Sequence, residues 1–365
     1  METDIIVIGA GPGGSASALS LRRRGYNVVV LEKGFMPRSK VCGELVAPLG
    51  VKELKRLGVL NKITSAGGNK VRRIIFYSSK GAGRAEFSFP EGEYGIAISR
   101  ERFDTLLFEG ARESGAEGVE GFSVEYVERE KDAPYYRVKG AYRKTGITKT
   151  FRSRAIINAS GIKGFGAKSN GYREYLYAFK VHLRGIACAD AAELFFYDGG
   201  YGGLVEIEDG LVNLAFQVQK KQMSYMTHHP LEILKQILPP SHPIYGKLAQ
   251  AEPIGRWEAM GTVFARRKTP FPGVWNIGDA SGIIDPFTGL GISLALQGGR
   301  VLGETLDPDK EEAVYDLKRD MNRKRFMTVG IMRNLVFRPG LCDLIMKHAT
   351  SSAHLGNLII RLLHT

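Results

Sequence analysis

The chain has 365 residues, 44% hydrophobic and 24% charged, a globular composition long enough for two packed domains and unlike that of a disordered segment. Its three cysteines (Cys42, Cys188, Cys342) form no C-x-x-C and no even set, which argues against a disulfide framework, and no apolar run reaches the ~18 residues of a membrane span. A net charge of +13 is compatible with nucleic acid, an anionic membrane surface or an anionic ligand; no nucleic-acid module signature is present, so no nucleic-acid partner is expected.

No secretory pattern opens the chain, and the expected location is cytoplasmic. Residues 4–8 (DIIVI) form an apolar run of strand length, residues 14–24 (GSASALSLRRR) read as a helix with small residues on one side, and residues 28–31 (VVVL) read as a second buried strand. Between the first strand and the helix lies a G-x-G-x-x-G. In that pattern Gly9 permits the tight turn, Gly11 lets backbone approach a pyrophosphate, and Gly14 lets helix and strand pack closely. The pyrophosphate would sit at the helix N-terminus, where unpaired N–H groups and the helix dipole favour negative charge. Glu32 ends the second strand, where a carboxylate can accept hydrogen bonds from ribose hydroxyls and would repel a 2′-phosphate. These spacings predict a dinucleotide site.

Alternating apolar residues over 70–98 and 172–220 predict strands of a second, antiparallel sheet. The seven histidines show no metal spacing. His228 and His229 are adjacent and precede Pro230, and His348 and His354 lack carboxylate or thiol companions, so no metal is expected. At 274–297 (VWNIGDASGIIDPFTGLGISLALQ) a short strand ends in Gly278–Asp279. A Pro-Phe-Thr-Gly-Leu-Gly run then opens a long apolar helix whose first N–H groups are free to meet a ligand. Residues 312–365 look helical and mix basic clusters with apolar stripes. They read either as packing helices or as a surface for peripheral membrane contact.

The pairing of GAGPGG…EK with GDASG…PFTGLGISLAL resembles FAD-dependent oxidoreductases of the para-hydroxybenzoate hydroxylase-like group over about residues 1–305. Within that group, SKVCGE (39–44) resembles the K-x-C-G segment of the geranylgeranyl reductase family. The resemblance implies an α/β protein with a Rossmann-type FAD-binding domain (1–69, 99–170 and 253–311), an antiparallel-sheet substrate domain (70–98 and 171–252) and a helical C-terminal tail (312–365). It implies non-covalent FAD held by Gly9, Gly11, Pro12, Gly13, Gly14, Glu32, Lys33, Cys42 and Gly43. Arg100 of SRERFDTLL would meet the phosphate and ribose region, Val124 the adenine, and Gly161 of AIINASG the flavin side. Gly278 and Asp279 would bind the ribityl or pyrophosphate region, and Pro286, Gly289, Gly291 and Ile292 would aim a helix N-terminus at the flavin's pyrimidine edge.

Tyr201 and Gly203 are expected in the substrate pocket. The stretch YGGLVEIE (201–208) keeps the tyrosine of the reductases' Tyr-x-Trp-x-Phe-Pro segment but lacks its Trp, Phe and Pro. Cys42 is a candidate proton donor or pocket-lining thiol, and also reads as a small buried residue. Glu44 is a candidate for acid–base work or orientation, and also reads as a solvated loop carboxylate. No second strand–GxGxxG–helix appears, so NAD(P)H is expected only as a transient reductant. The implied reaction is hydride transfer from reduced flavin to a carbon–carbon double bond of a hydrophobic substrate. Aromatic hydroxylation with NAD(P)H and oxygen stands beside it, as does, in another class, flavin binding without turnover.

Overall fold

The computed structural model describes residues 1–81, 83–162, 165, 176–220, 229–262 and 274–310. The expected C-terminal helical region 312–365, His228, His348 and His354 lie outside them.

Strand β1 (Glu2–Ile8), helix α1 (Pro12–Arg23) and β2 (Val28–Leu31) form the first βαβ unit, with β1 and β2 parallel. Both strands are buried on both faces, as inner strands of a parallel sheet must be, which explains why VVVL and DIIVI do not alternate. The short strands β3 (Leu45–Val46), β4 (Asn69–Val71) and β7 (Gly95–Ala97) form a small three-stranded sheet, while β5 (Arg73–Tyr77) and β6 (Arg84–Ser88) belong to the second large sheet. Strands β8 (Glu117–Val119), β9 (Phe122–Arg129), β10 (Tyr136–Tyr142), β11 (Thr148–Asn158) and β17 (Val274–Asn276) complete the first sheet. Its order is β8-β2-β1-β11-β10-β9, with β17 parallel to β11.

Helices α2 (Pro48–Arg56), α3 (Leu60–Ser65), α4 (Arg100–Glu113) and α7 (Gly291–Thr305) lie on the side of α1. Helix α4 is capped by the Ser99 hydroxyl, which accepts from Arg102 N at 3.3 Å. Glycines bring α1 and α7 close together: a Cβ at Gly299 would overlap the Gly13 carbonyl oxygen, and one at Gly303 would come within 2.8 Å of Ser17 O. Further along the same seam, Arg24 donates to Gly303 O at 2.9 Å, a contact between residues 279 apart.

The second sheet has seven strands in the order β16-β12-β15-β14-β13-β5-β6: β12 (Leu176–Arg184), β13 (Ala191–Tyr197), β14 (Gly200–Glu206), β15 (Val212–Gln219) and β16 (Glu252–Thr262) with β5 and β6. It is antiparallel except where β13 runs parallel to β5. One face packs Val181, Leu214, Phe216 and Val218 against α5 (Pro230–Ile237) and α6 (Pro243–Gln250). Two expected boundaries differ from the topology. Residues 253–262, expected with the cofactor domain, pair with β12 and so extend the second sheet. Strand β7, expected in the substrate domain, pairs with β3 beside the first sheet.

Candidate functional site

A cavity of about 1190 Å³ is lined by residues of both large sheets. That exceeds the ~300–1,000 Å³ of an ordinary small-molecule site and leaves room for a large cofactor together with a second ligand.

One end is built from the βαβ turn. Gly9 has φ +103°, and a Cβ there would lie 2.6 Å from Ala159 O, so the turn requires glycine. Gly11, Pro12 and Gly13 line the cavity. Gly11 is the N-cap of α1 and supplies no side-chain acceptor, and the first turn holds no acidic residue, so the helix presents its free N–H groups without an internal anion. Gly14 does not line the cavity: a Cβ there would overlap Gly9 O, which is the packing role expected of the third glycine. Glu32 is 6% exposed and lines the cavity; its Oε2 accepts from Ala10 N at 2.8 Å and its Oε1 from Gly34 N at 2.8 Å. Oε2 keeps a second lone pair for a ligand hydroxyl, while Oε1 also faces Arg38 Nε at 3.4 Å. Lys33, Val124 and Gly161 line the same cavity.

The middle is built from residues 38–44. Lys40 pairs with Asp279 at 2.7 Å, so the two flavin-segment motifs are joined across 239 residues. Arg38 reaches Glu32 at 3.4 Å and Asp104 at 3.3 Å. Arg100 lines the cavity, yet its guanidinium is engaged by Asp104 at 2.8 and 2.7 Å. Burial alone would lower its pKa; the charge of Asp104 outweighs that and raises it. Cys42 and Gly43 line the cavity, as do Gly278, Pro286, Gly289, Gly291 and Ile292 around the start of α7.

Glu44 is not a solvated loop carboxylate. It is fully buried, lines the cavity and has φ +56°, a conformation strained for a residue with a side chain. Its Oε1 accepts from Arg100 N at 2.8 Å and from Lys180 Nζ at 2.6 Å, and its Oε2 meets His182 Nε2 at 2.8 Å. Burial pushes the Glu44 carboxyl up, but the His182 hydrogen bond and the Lys180 charge prevail and hold it below the usual carboxylate range. Lys180 is itself buried and reaches Ser39 Oγ at 3.0 Å and Glu258 at 3.6 Å.

The far end is the open face of the second sheet, and its register sorts the side chains into rows. The first row reads Met260, Ala178, Gln217, Tyr201 and Phe196. The second reads Glu258, Lys180, Ala215, Gly203, Leu194, Phe76 and Ala85. The third reads His182, Asn213, Val205, Ala192, Ile74 and Phe87. Charge therefore sits on the β16–β12 side under residues 39–44, and apolar and aromatic groups on the β13–β6 side. Small residues, Ala215 and Gly203, leave space between them. Phe76 and Phe196 stack with centroids 6.0 Å apart. The Tyr201 hydroxyl donates to Asp285 Oδ1 at 2.6 Å, and burial followed by the Asp285 charge raises its pKa well above the usual tyrosine value.

The structure thus gathers the expected residues, Gly14 apart, around one cavity. Lys180, His182, Gln217 and the phenylalanines were missed by sequence reasoning. Lys180 and His182 did leave a trace: two ionisable residues at alternate positions inside an otherwise apolar strand. Among the described residues, no group of His, Cys, Asp and Glu is arranged to hold a metal ion, and no helix is long and apolar enough to cross a membrane.

A glycine-lined helix start, an acid at the end of the second strand and a second helix start facing the same cavity define a protein that binds a dinucleotide cofactor beside an apolar chamber. The chain belongs to the FAD binding domain family, whose sequence pattern matches residues 2–313, and FAD is the cofactor of that family. Conditioned medium factor receptor 1 of Dictyostelium discoideum is 27% identical over 334 residues, covering 82% of this chain and 62% of the relative, so the chain spans less than two thirds of that protein. Digeranylgeranylglycerophospholipid reductase 2 of Methanopyrus kandleri is 27% identical over 346 residues, covering 88% of this chain and 82% of the relative. The flavin-dependent brominase Bmp2 shares the fold, with a TM-score of 0.82 at 21% identity, over 100% of this chain and 94% of its own.

Proposed function

We propose that the chain is an FAD-dependent reductase that saturates a carbon–carbon double bond of a hydrophobic substrate. The observation that carries this reading is the continuity of one cavity from a polar, glycine-lined helix start to an aromatic sheet face. The residues fit the cofactor. Free N–H groups at the start of α1 suit a pyrophosphate, Glu32 suits ribose hydroxyls, and the start of α7 suits the electron-rich edge of a flavin. Bound there and reduced by a nicotinamide donor, the flavin would supply the electron pair as hydride, and a proton from water or the Cys42 thiol would complete the saturation.

The chain's own part is to bind, orient and exclude water. Phe76, Phe87, Phe196 and Leu194 offer an apolar wall, and a ligand that covers their remaining surface gains roughly 25 cal/mol per Å² of apolar area removed from water. Lys40 and Asp279 hold residues 38–44 against the start of the second motif. Cys42 is placed to meet the ligands of the cavity, with Arg100 beside it. The K-x-C-G segment and the similarity to a prenyl-lipid reductase support reduction. NAD(P)H enters this reading as a transient donor.

The stacked Phe76–Phe196 pair supports a second reading, hydroxylation of a flat aromatic substrate. One experiment separates the two. Holoprotein reduced anaerobically is mixed with an isoprenoid alkene and, separately, with a phenol, and the products are weighed by mass spectrometry. A gain of two hydrogens without oxygen supports the reductase. Product formed only after oxygen is admitted, with one oxygen gained, supports the hydroxylase. Purified protein that retains no flavin after incubation with FAD refutes both.

A further inference from the structure

Among the cavity-lining polar side chains of the second sheet, one makes no side-chain hydrogen bond or ion pair with the described residues. Tyr201 donates to Asp285, and Glu193 pairs with Lys247 on the helical side of the sheet. Gln217 is 4% exposed, lines the cavity, and its Oε1 is buried with no hydrogen-bond partner among the described residues. It sits in the first row between Ala178 and Tyr201, one row from the space left by Ala215 and Gly203. A buried amide without a partner is destabilising; its oxygen is closed off from the cavity space, so a ligand meets the amide by its other end or after the amide turns over, and one that supplies the missing hydrogen bond is favoured.

We propose that Gln217 is a specificity-determining residue that binds a hydroxyl group on an otherwise apolar substrate. A hydroxyl is the matching chemistry because it donates and accepts, and so satisfies the amide whichever of its two ends faces the cavity. A charged headgroup is disfavoured at this position, since its neighbours in the row are Met260, Ala178, Tyr201 and Phe196 and offer it no counter-charge. The inference rests on the apolar-substrate reading of the cavity, and it specifies the polar end of that substrate.

The test is a binding measurement on FAD-loaded protein. Geranylgeraniol and its methyl ether are titrated into the native protein and into Gln217→Met, and binding is read from perturbation of the flavin absorption spectrum. The expected result is that the native protein prefers the alcohol by about tenfold. Gln217→Met should lose that preference while binding the ether at least as well. Equal affinity of the native protein for both probes overturns the role of Gln217 and leaves the apolar-substrate reading standing. So does a preference that survives the substitution. Failure of both probes to bind overturns the substrate reading and the Gln217 proposal with it.

Discussion

Replacing Glu44 with glutamine tests whether the buried charge cluster holds residues 42–44 in place. The carboxylate receives three donors, Arg100 N–H, Lys180 Nζ and His182 Nε2, all within 2.8 Å. Glutamine has nearly the same shape but one acceptor oxygen, so at least one charge-assisted bond, worth about 1.5–3 kcal/mol, is lost. The larger effect falls on Lys180, which stays buried and, among the described residues, keeps only Glu258 at 3.6 Å as a carboxylate partner. Breaking one side of a buried ion pair costs about 3–5 kcal/mol, and the two figures overlap because they count the same contacts. The expected loss at pH 7 is therefore about 3–5 kcal/mol, read as a lower midpoint of urea unfolding in excess FAD.

The pH dependence has a definite sign. The folded-state pKa of Glu44 is depressed, so its contribution is fully present above the unfolded value of 4.5 and is lost as pH falls through the lower folded value. The gap between native protein and Glu44→Gln should narrow below pH 4.5. Adding Lys180→Met to Glu44→Gln should restore part of the loss, because the unpaired cation goes with it. A loss under ~1 kcal/mol at pH 7, or strictly additive effects of the two substitutions, would refute the reasoning.

Gly203→Leu should abolish binding of an isoprenoid alcohol while leaving FAD content and thermal unfolding close to native. A Cβ there meets only Glu193 O, at 3.7 Å, and the new side chain fills the space in the middle of the sheet face; retained ligand affinity in a titration would place the substrate elsewhere. Gly14→Ala should lose FAD on gel filtration, since its Cβ overlaps Gly9 O and pushes α1 off the turn. Tyr201→Phe removes the donor to buried Asp285 and should lower stability by about 1–3 kcal/mol in urea unfolding.

The cofactor end of the site was legible in the sequence because its determinants are local. Gly9, Gly11, Gly14 and Glu32 act within one βαβ unit, and the steric reasons for each glycine operate over a few residues. The second sheet was legible as alternation but not as a surface. Its rows depend on β13 pairing in parallel with β5, 118 residues earlier in register (Ala191 with Arg73), and no local pattern specifies that. Glu44 shows the same limit: on a loop it read as either a reactive or a solvated carboxylate, and its burial comes from Lys180 and His182, more than 130 residues away. The misplaced boundary at 253–262 arose because that segment, with Pro253 and Gly255, alternates weakly and declares its sheet only through its partner β12.

The glycine seam between α1 and α7 has a consequence for how the protein is made. A ribosome releases the cofactor turn first and α7 nearly three hundred residues later, yet the two helices must lie against each other before the cradle has both of its walls. The nascent N-terminal segment therefore waits, with its apolar strands unshielded, until most of the chain has emerged. FAD, whose expected cradle is lined by residues from both ends, would act as the last partner in assembly and would select completed chains from truncated ones.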